Sequence, residues 1–290
     1  MITSYAQNFE DVILWRALKH IGPGFYIDIG AYDPVIDSIS LCFYEQGWRG
    51  VHIEPCRASA EKLRTARPDE RVIEAAIGTR ENNIPFWEVS NTGLSTGDPA
   101  LATLYEASNR KVVRIEVPCM RLSRLLTEYR DIDIHWLKID AEGMEHEVIE
   151  SWRPAQARPW IVVVESTKPN SREPIFSDWE PLLSELGYEY AYFDGINRFY
   201  VSREREDLKK HFGPGPNLFD GFFLSGHSPF CARLRQETME LEARVMELEA
   251  RVKSLKAELA TIYRSTFWRL TAPLRGVDRS LRRMARNRQP

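Results

Sequence analysis

Apolar positions along the chain change period several times, and each change marks a new element. From Tyr5 to His20, Phe9, Val12, Ile13, Trp15 and Leu18 recur at mixed spacings of three and four, which predicts an amphipathic helix ending at Gly22-Pro23-Gly24. Phe25 to Gly30 is a short apolar run broken by a glycine, the pattern of a buried strand feeding a turn. A helical stretch around Ser38 to Gln46 leads to a second strand, Gly50 to Pro55. A helix from Ser59 to Ala66 then leads to a third, Arg71 to Gly78. The polar, glycine-containing stretch from Asn91 to Pro99 reads as loop. The fourth and fifth strands are His135 to Asp140 and Trp160 to Glu165, with a helix from Glu145 to Trp152 between them. Tyr188 to Val201 alternates aromatic and polar residues around Asp194-Gly195, a hairpin signal at the far edge of the sheet.

Nearly continuous apolar strands alternating with helices predict an α/β domain, with a doubly wound parallel sheet covered on both faces. Ligands of such sheets sit outside the carboxyl ends of the strands.

Composition agrees with a folded body: 43% hydrophobic residues and 8 Trp are enough for a sizeable core in 290 residues. The net charge of -3 is unevenly spread, because residues 231 to 290 hold 14 Lys/Arg against 7 Asp/Glu and leave an acidic body. An acidic body is a poor grip on nucleic acid, which needs clustered cations. Cys42, Cys56, Cys119 and Cys231 are scattered without zinc-ligand spacing and read as small buried hydrophobes of a reducing compartment. Neither a secretory leader nor an apolar run of membrane-spanning length is visible, so the expected location is cytoplasmic.

The strands end in acids: Asp28 after the first, Glu54 after the second, Asp140 and Glu142 after the fourth, Glu165 after the fifth. All five then fall on one edge of the sheet, where buried carboxylates call for a cationic or hydroxyl-rich partner. Asp28-Ile29-Gly30-Ala31 has a small residue straight after a strand, which allows close backbone approach to a ligand. It lacks the other glycines of a pyrophosphate cradle, so a dinucleotide oxidoreductase is the weaker alternative. Glu54, at the end of the next strand, suits a grip on ribose hydroxyls.

The chain resembles the FkbM-type S-adenosylmethionine-dependent methyltransferases over roughly residues 3 to 225. The similarity lies in 4–11 (SYAQNFED), 26–31 (YIDIGA), 50–55 (GVHIEP), 75–78 (AAIG) and, most specifically, 137–145 (LKIDAEGME). The resemblance implies a Rossmann-like sheet of about seven, mostly parallel strands and methyl transfer onto a hydroxyl oxygen, often of a sugar or polyketide. It also implies that Asp28, Gly30 and Ala31 line the methionine side of the cofactor, that Glu54 holds the ribose and that Ala76 flanks adenine. Asp140 and Glu142 would face the acceptor. The first loop departs from the family pattern, with Tyr32-Asp33-Pro34 following Ala31 in place of Asn-Asp-Gly.

Attack of a neutral hydroxyl on a sulfonium leaves a proton to remove. Asp140 is the first candidate base, with Glu142 and His146 behind it. Asp140, Glu142 and Glu165 also form an oxygen-only set suited to magnesium, which would acidify the acceptor hydroxyl. Gln7, Glu10 and Asp11 are placed to cap the cofactor site, and Lys138 to pair with an acid at the sheet edge.

A separate appendage follows the methyltransferase-like domain, 1–228. In 229–263, Leu241, Leu248, Leu255 and Ile262 fall at heptad position d, and Val245, Val252 and Leu259 at a. Val at a with Leu at d favours a parallel dimer. The flanking charges divide: Arg244 with Glu249 attracts, whereas Glu237 with Glu242 and Arg251 with Lys256 repel, so a homodimer and a heterologous partner both stay open. The basic amphipathic tail, 264–290, carries Phe267, Trp268 and eight arginines from Arg264 on, a composition suited to an anionic membrane surface. Residues 265–275 are similar to tails of bacterial surface-polysaccharide glycosyltransferases. The acceptor implied is a sugar hydroxyl on a surface glycan near the inner membrane; a non-catalytic scaffold in glycan assembly is the alternative.

Overall fold

The computed structural model describes residues 1–90, 92–169 and 171–273. The chain opens with β1 (Ile2–Ser4), α1 (Glu10–Leu18), β2 (Phe25–Ile29), α2 (Ile39–Glu45), β3 (Arg49–Ile53), α3 (Arg57–Ala66) and β4 (Arg71–Ile73). It continues through β5 (Ala76–Ile77), β6 (Asn83–Val89), α4 (Pro99–Ala107), β7 (Val112–Met120), α5 (Leu122–Glu128) and β8 (Ile134–Ile139). Then come α6 (Glu145–Glu150), β9 (Ile161–Glu165), α7 (Glu180–Glu185), β10 (Tyr188–Phe193), β11 (Asn197–Ser202) and β12 (Phe222–Leu224), and last α8 (Ala232–Arg264) and α9 (Thr266–Leu270).

The main sheet has seven strands in the order β10-β11-β9-β8-β2-β3-β4. Six run the same way, and β11 runs against both of its neighbours. Side chains alternate across the sheet, so each face acquires its own core. Ile27, Ile29, Leu137, Ile139, Val162 and Val164 face α5, α6 and α7, while Tyr26, Trp136, Ile161 and Val163 face α1 and α2. From the central β2 the chain winds outward through β3 to β4, then returns to β8 on the other side and winds outward again. The loops after β2 and β8 therefore diverge, and a crevice opens where strand order reverses.

Several expectations need correction. The stretch Arg71 to Gly78 is not one strand: β4 stays in the main sheet, whereas β5 leaves it and pairs with β7. β7 also pairs antiparallel with β6, forming a separate three-stranded sheet that the apolar-run reading passed over. Its signal is weak two-residue alternation, in which Ile84, Phe86, Val117 and Cys119 bury one face against Cys56 and Ala76. The first helix starts at Glu10 rather than Tyr5. Buried Asp11 accepts hydrogen bonds from Ser4 Oγ (2.8 Å) and the amides of Tyr5 (2.7 Å) and Ala6 (3.2 Å), and these hold the preceding residues out of helix.

Two compact units divide the chain at Cys231 and Ala232, three residues beyond the expected boundary. The first keeps Pro229–Cys231 because the Phe230 ring stacks on Phe9 at 5.0 Å. In the second, α8 is one 33-residue helix without a buried residue, and Tyr263 meets Trp268 of α9 edge to face. No described helix is long and apolar enough to cross a membrane. Of the basic segment 264–290, residues 274–290 lie outside the described residues.

A charged knot lies beneath the loop after β2. Fully buried Arg67 donates to Ser40 Oγ (2.8 Å), Ser38 Oγ (2.9 Å) and the Pro34 carbonyl (2.8 Å). Its neighbour Glu70 accepts from Tyr26 OH (2.6 Å) and Gly50 N (2.7 Å) and pairs with His52 Nε2 (2.8 Å). Arg67→Ala leaves Glu70 and three loop acceptors buried with fewer partners, and should lower unfolding free energy by about 3–5 kcal/mol in urea titrations.

Candidate active site

The crevice at the strand ends holds two cavities that share Gly30, Tyr32, Gly93, Asp140 and Glu142. The smaller, about 130 Å³, is a slot of mixed polar and apolar lining between the ends of β2 and β3 and the three-stranded sheet. Ile53, Ala75, Ala76, Ile77, Phe86 and Val89 line one part of it, and Glu54 and Glu142 are its buried carboxylates. The larger, about 950 Å³, is a polar basin over β2, β8 and β9, reached by the acids Glu10, Asp28, Asp37, Asp140, Glu142, Glu165 and Asp194.

Gly30 is what lets the strand ends meet. Its φ is +81°, and a Cβ there would lie 1.8 Å from the Asp140 carbonyl oxygen. Its amide donates to the Ile53 carbonyl (2.9 Å) and the amide of Asp140 to that of Ile29 (3.1 Å), so the ends of β3, β2 and β8 are tied in one line. Tyr32, also left-handed at φ 47°, donates its amide to Glu54 Oε2 (2.9 Å), and the Cys56 amide reaches Glu54 Oε1 (2.8 Å). Each Glu54 oxygen is thus oriented by one backbone donor and keeps lone pairs for a diol. Burial raises the Glu54 pKa to about 7, against the pull of those amides.

At the basin floor Lys138, buried in β8, donates to Asp140 Oδ2 (3.0 Å) and Asn197 Oδ1 (2.8 Å). Asn197 in turn donates to Glu10 Oε1 (2.8 Å) and Asp194 Oδ2 (3.2 Å). Burial works against the Lys138 charge, but Asp140, Glu10 and Glu165 outweigh it and raise its pKa. One carboxylate oxygen from each of Asp140, Glu142 and Glu165 lies within 4.8 Å of the others. Burial, then the Asp140 charge and the neighbouring carboxyls, push Glu142 and Glu165 well above the ordinary range, which favours their protonated forms. Asp28 goes the other way. Burial would raise it, but His52 and Ser40 draw it below the usual carboxylate value.

Asp28, Gly30, Ala31, Glu54, Ala76, Asp140, Glu142 and Glu165 therefore all border the two cavities. His146 does not. It lies on α6 with Nδ1 3.2 Å from the Asp178 carbonyl, because helical phase turns it toward the loop before α7. Gln7 and Glu10 reach the basin, whereas Asp11 is spent on the segment before α1. Pattern reading missed Glu145, whose carboxylate accepts from the amides of Ala141 (2.9 Å) and Gly143 (3.1 Å) and shapes the loop after β8. It also missed Asn197, which sits in the edge hairpin and reaches the basin only because β11 lies beside β9.

A narrow slot with a carboxylate suited to a diol, joined at Asp140 and Glu142 to an acidic basin, has room for a nucleoside and a second substrate. The sequence profile described as the methyltransferase FkbM domain matches residues 28–190. The chain belongs to that family. Membership makes it a methyltransferase by family and implies S-adenosylmethionine as donor, and it removes the dinucleotide oxidoreductase reading. Among solved structures, a TehB-like SAM-dependent methyltransferase from Corynebacterium glutamicum ATCC 13032 is similar at 10% identity and a TM-score of 0.37, covering 66% of this chain and 88% of that one. No curated protein matches the sequence.

In the first unit Glu10, Glu54 and Glu145 are all buried, and burial lifts each from 4.5 to about 7. The folded state keeps protons there that the unfolded chain gives up between those values. Their stabilising contribution is complete below about pH 4.5 and is lost as pH rises through about 7. Thermal denaturation of the ligand-free chain should show stability falling from about pH 5 to about 8, and Glu54→Gln should flatten part of that slope.

Proposed function

We propose that the chain transfers the methyl group of S-adenosylmethionine to a sugar hydroxyl, on a surface polysaccharide or a related glycan. The observation that carries this reading is the position of Asp140, whose side chain borders both the narrow slot and the acidic basin. The residues suit the donor: Ala75, Ala76, Ile77 and Phe86 for the adenine, Glu54 for the ribose diol, Asp28, Gly30 and Ala31 for the amino-acid end. When bound, the donor supplies an electrophilic methyl carbon on a cationic sulfur, and carboxylates around it favour that charge.

Asp140 takes the proton of the attacking hydroxyl. Lys138 fixes its Oδ2, and Oδ1 accepts no hydrogen bond from a described residue. Glu142 and Glu165, whose protonated forms are favoured by burial and by their neighbours, orient the acceptor hydroxyl beside Asp140. A basin edged by Asn8, Glu10, Asp37 and Asp194 suits an acceptor with several hydroxyls, each able to donate to an acid. We place the reaction in the cytoplasm, with the basic segment 264–290 against the anionic inner face of the plasma membrane.

A second reading has a divalent cation at Asp140, Glu142 and Glu165, favoured by their convergence. The Lys138 ammonium already supplies positive charge beside Asp140, so we favour the metal-free route; a chelator that abolishes turnover would reverse that preference.

Asp140→Asn tests the assignment. It should leave S-adenosylmethionine affinity in calorimetry unchanged within about twofold and cut methyl transfer from labelled donor to glycan acceptors by about 10²–10⁴. Turnover equal to that of the unchanged chain would remove Asp140 from the role of base.

A further inference from the structure

The seam of α8 points to a second copy of this chain, turned end for end. Val245, Leu248, Val252, Leu255, Leu259 and Ile262 lie along one stripe and are each 46% to 53% exposed. At its centre Val245, Leu248 and Val252 line a shallow trough flanked by Glu249, Lys253 and Lys256. Apolar residues at every a and d position from Val245 on call for a facing helix, and charge decides which helix and in which direction.

In a parallel pair each g residue meets the e residue five positions on. Glu237 would then meet Glu242 and Arg251 would meet Lys256, two repulsions against the one attraction of Arg244 with Glu249. Reversing one helix sets g against g and e against e. With Val252 opposite Leu255 of the second copy, Val245 faces Ile262 and Leu248 faces Leu259. Arg251 then meets Glu258 on one side of the seam and Glu249 meets Lys256 on the other, each contact made twice by symmetry. No like charges meet. Sliding by one heptad sets Arg251 and Glu249 against their own copies one way, beside Arg244–Glu258 and Glu242–Lys256 attractions, and Glu258 and Lys256 against theirs the other, so like charges meet in both.

The same charges are unspent within the helix. Arg233 and Arg244 pair along α8 with Glu237 and Glu247, whereas Glu249, Arg251 and Lys256 form no ion pair with another described residue. We infer that α8 is an antiparallel homodimerisation helix, with Val252 packed opposite Leu255 of the second copy.

The full-length chain tests this by sedimentation equilibrium. Lys256→Glu puts two Glu-Glu contacts into the antiparallel pair and should raise the dimer dissociation constant about tenfold, with Glu249→Lys added in the same chain restoring it. A parallel pair responds in the opposite sense, because Lys256→Glu turns its Arg251 repulsion into attraction; tighter association overturns the orientation. Orientation is read independently by oxidation in a Cys231→Ser background. Val245→Cys mixed with Ile262→Cys should give the mixed disulfide, and Val245→Cys alone none, since positions 245 lie about 25 Å apart along the antiparallel seam. A Val245→Cys homodisulfide, or a chain that stays monomeric at all concentrations, overturns the inference.

Discussion

The architecture of the site depends on the approach of Gly30 to the Asp140 carbonyl. No residue with a side chain fits there, since its Cβ would occupy the oxygen. Because β2 and β8 are adjacent and parallel yet far apart in sequence, their trailing loops leave in different directions from this contact. The divergence opens the crevice, and the contact sets the spacing of its walls. Glu54 on one side and Asp140 on the other are held in relation to each other through the amides of Gly30, Tyr32 and Asp140. A loop positioned by backbone hydrogen bonds leaves its side chains for ligands, as catalysis by preorganised groups demands.

What such a scaffold holds is an electrostatic imbalance. Seven acids border the basin against four cations, with Lys138 paired to Asp140 at its floor and Arg110, Lys168 and Arg172 also lining it. Burial, and after it the charge of Asp140, raises the pKa of Glu142 and Glu165 and so favours their protonated forms. A folded chain accepts that cost where the site is used. A cationic ligand relieves part of it, and hydroxyl groups of a second substrate satisfy acceptors that the protein leaves unmatched.

Much of this was legible in the amino-acid pattern. Runs such as Tyr26-Ile27-Asp28-Ile29 announce both a buried strand and the acid at its end, and in a parallel sheet all such ends share one side. Local pattern is silent where partnership is remote. β5 has two residues and exists as a strand only because β7 lies beside it, so Arg71 to Gly78 looked continuous. The β6 and β7 strands hid because their apolar residues alternate only loosely and Pro85 and Pro118 interrupt them. Asn197 reaches the basin from a hairpin that sequence order puts last, and no spacing rule links it to Glu10, 187 positions earlier. His146 misled for the opposite reason: nearness in sequence to Asp140 says nothing about the face of α6 on which it lies.

The appendage follows a different logic, because its partner is absent from its own fold. Long single helices in water are stabilised chiefly by burying an amphipathic face, and α8 buries none of its own. Apolar identity at a and d establishes that a helix must lie there, but Val and Leu are compatible with either direction once charges are counted. Direction is carried by the polar flanks, where the order of signs along g and along e is reversed relative to what in-register pairing needs. Charges worth little singly add up where several of them flank one seam. Helicity and association of α8 are therefore one equilibrium, and residues far from the reacting atoms determine whether two FkbM domains are held together.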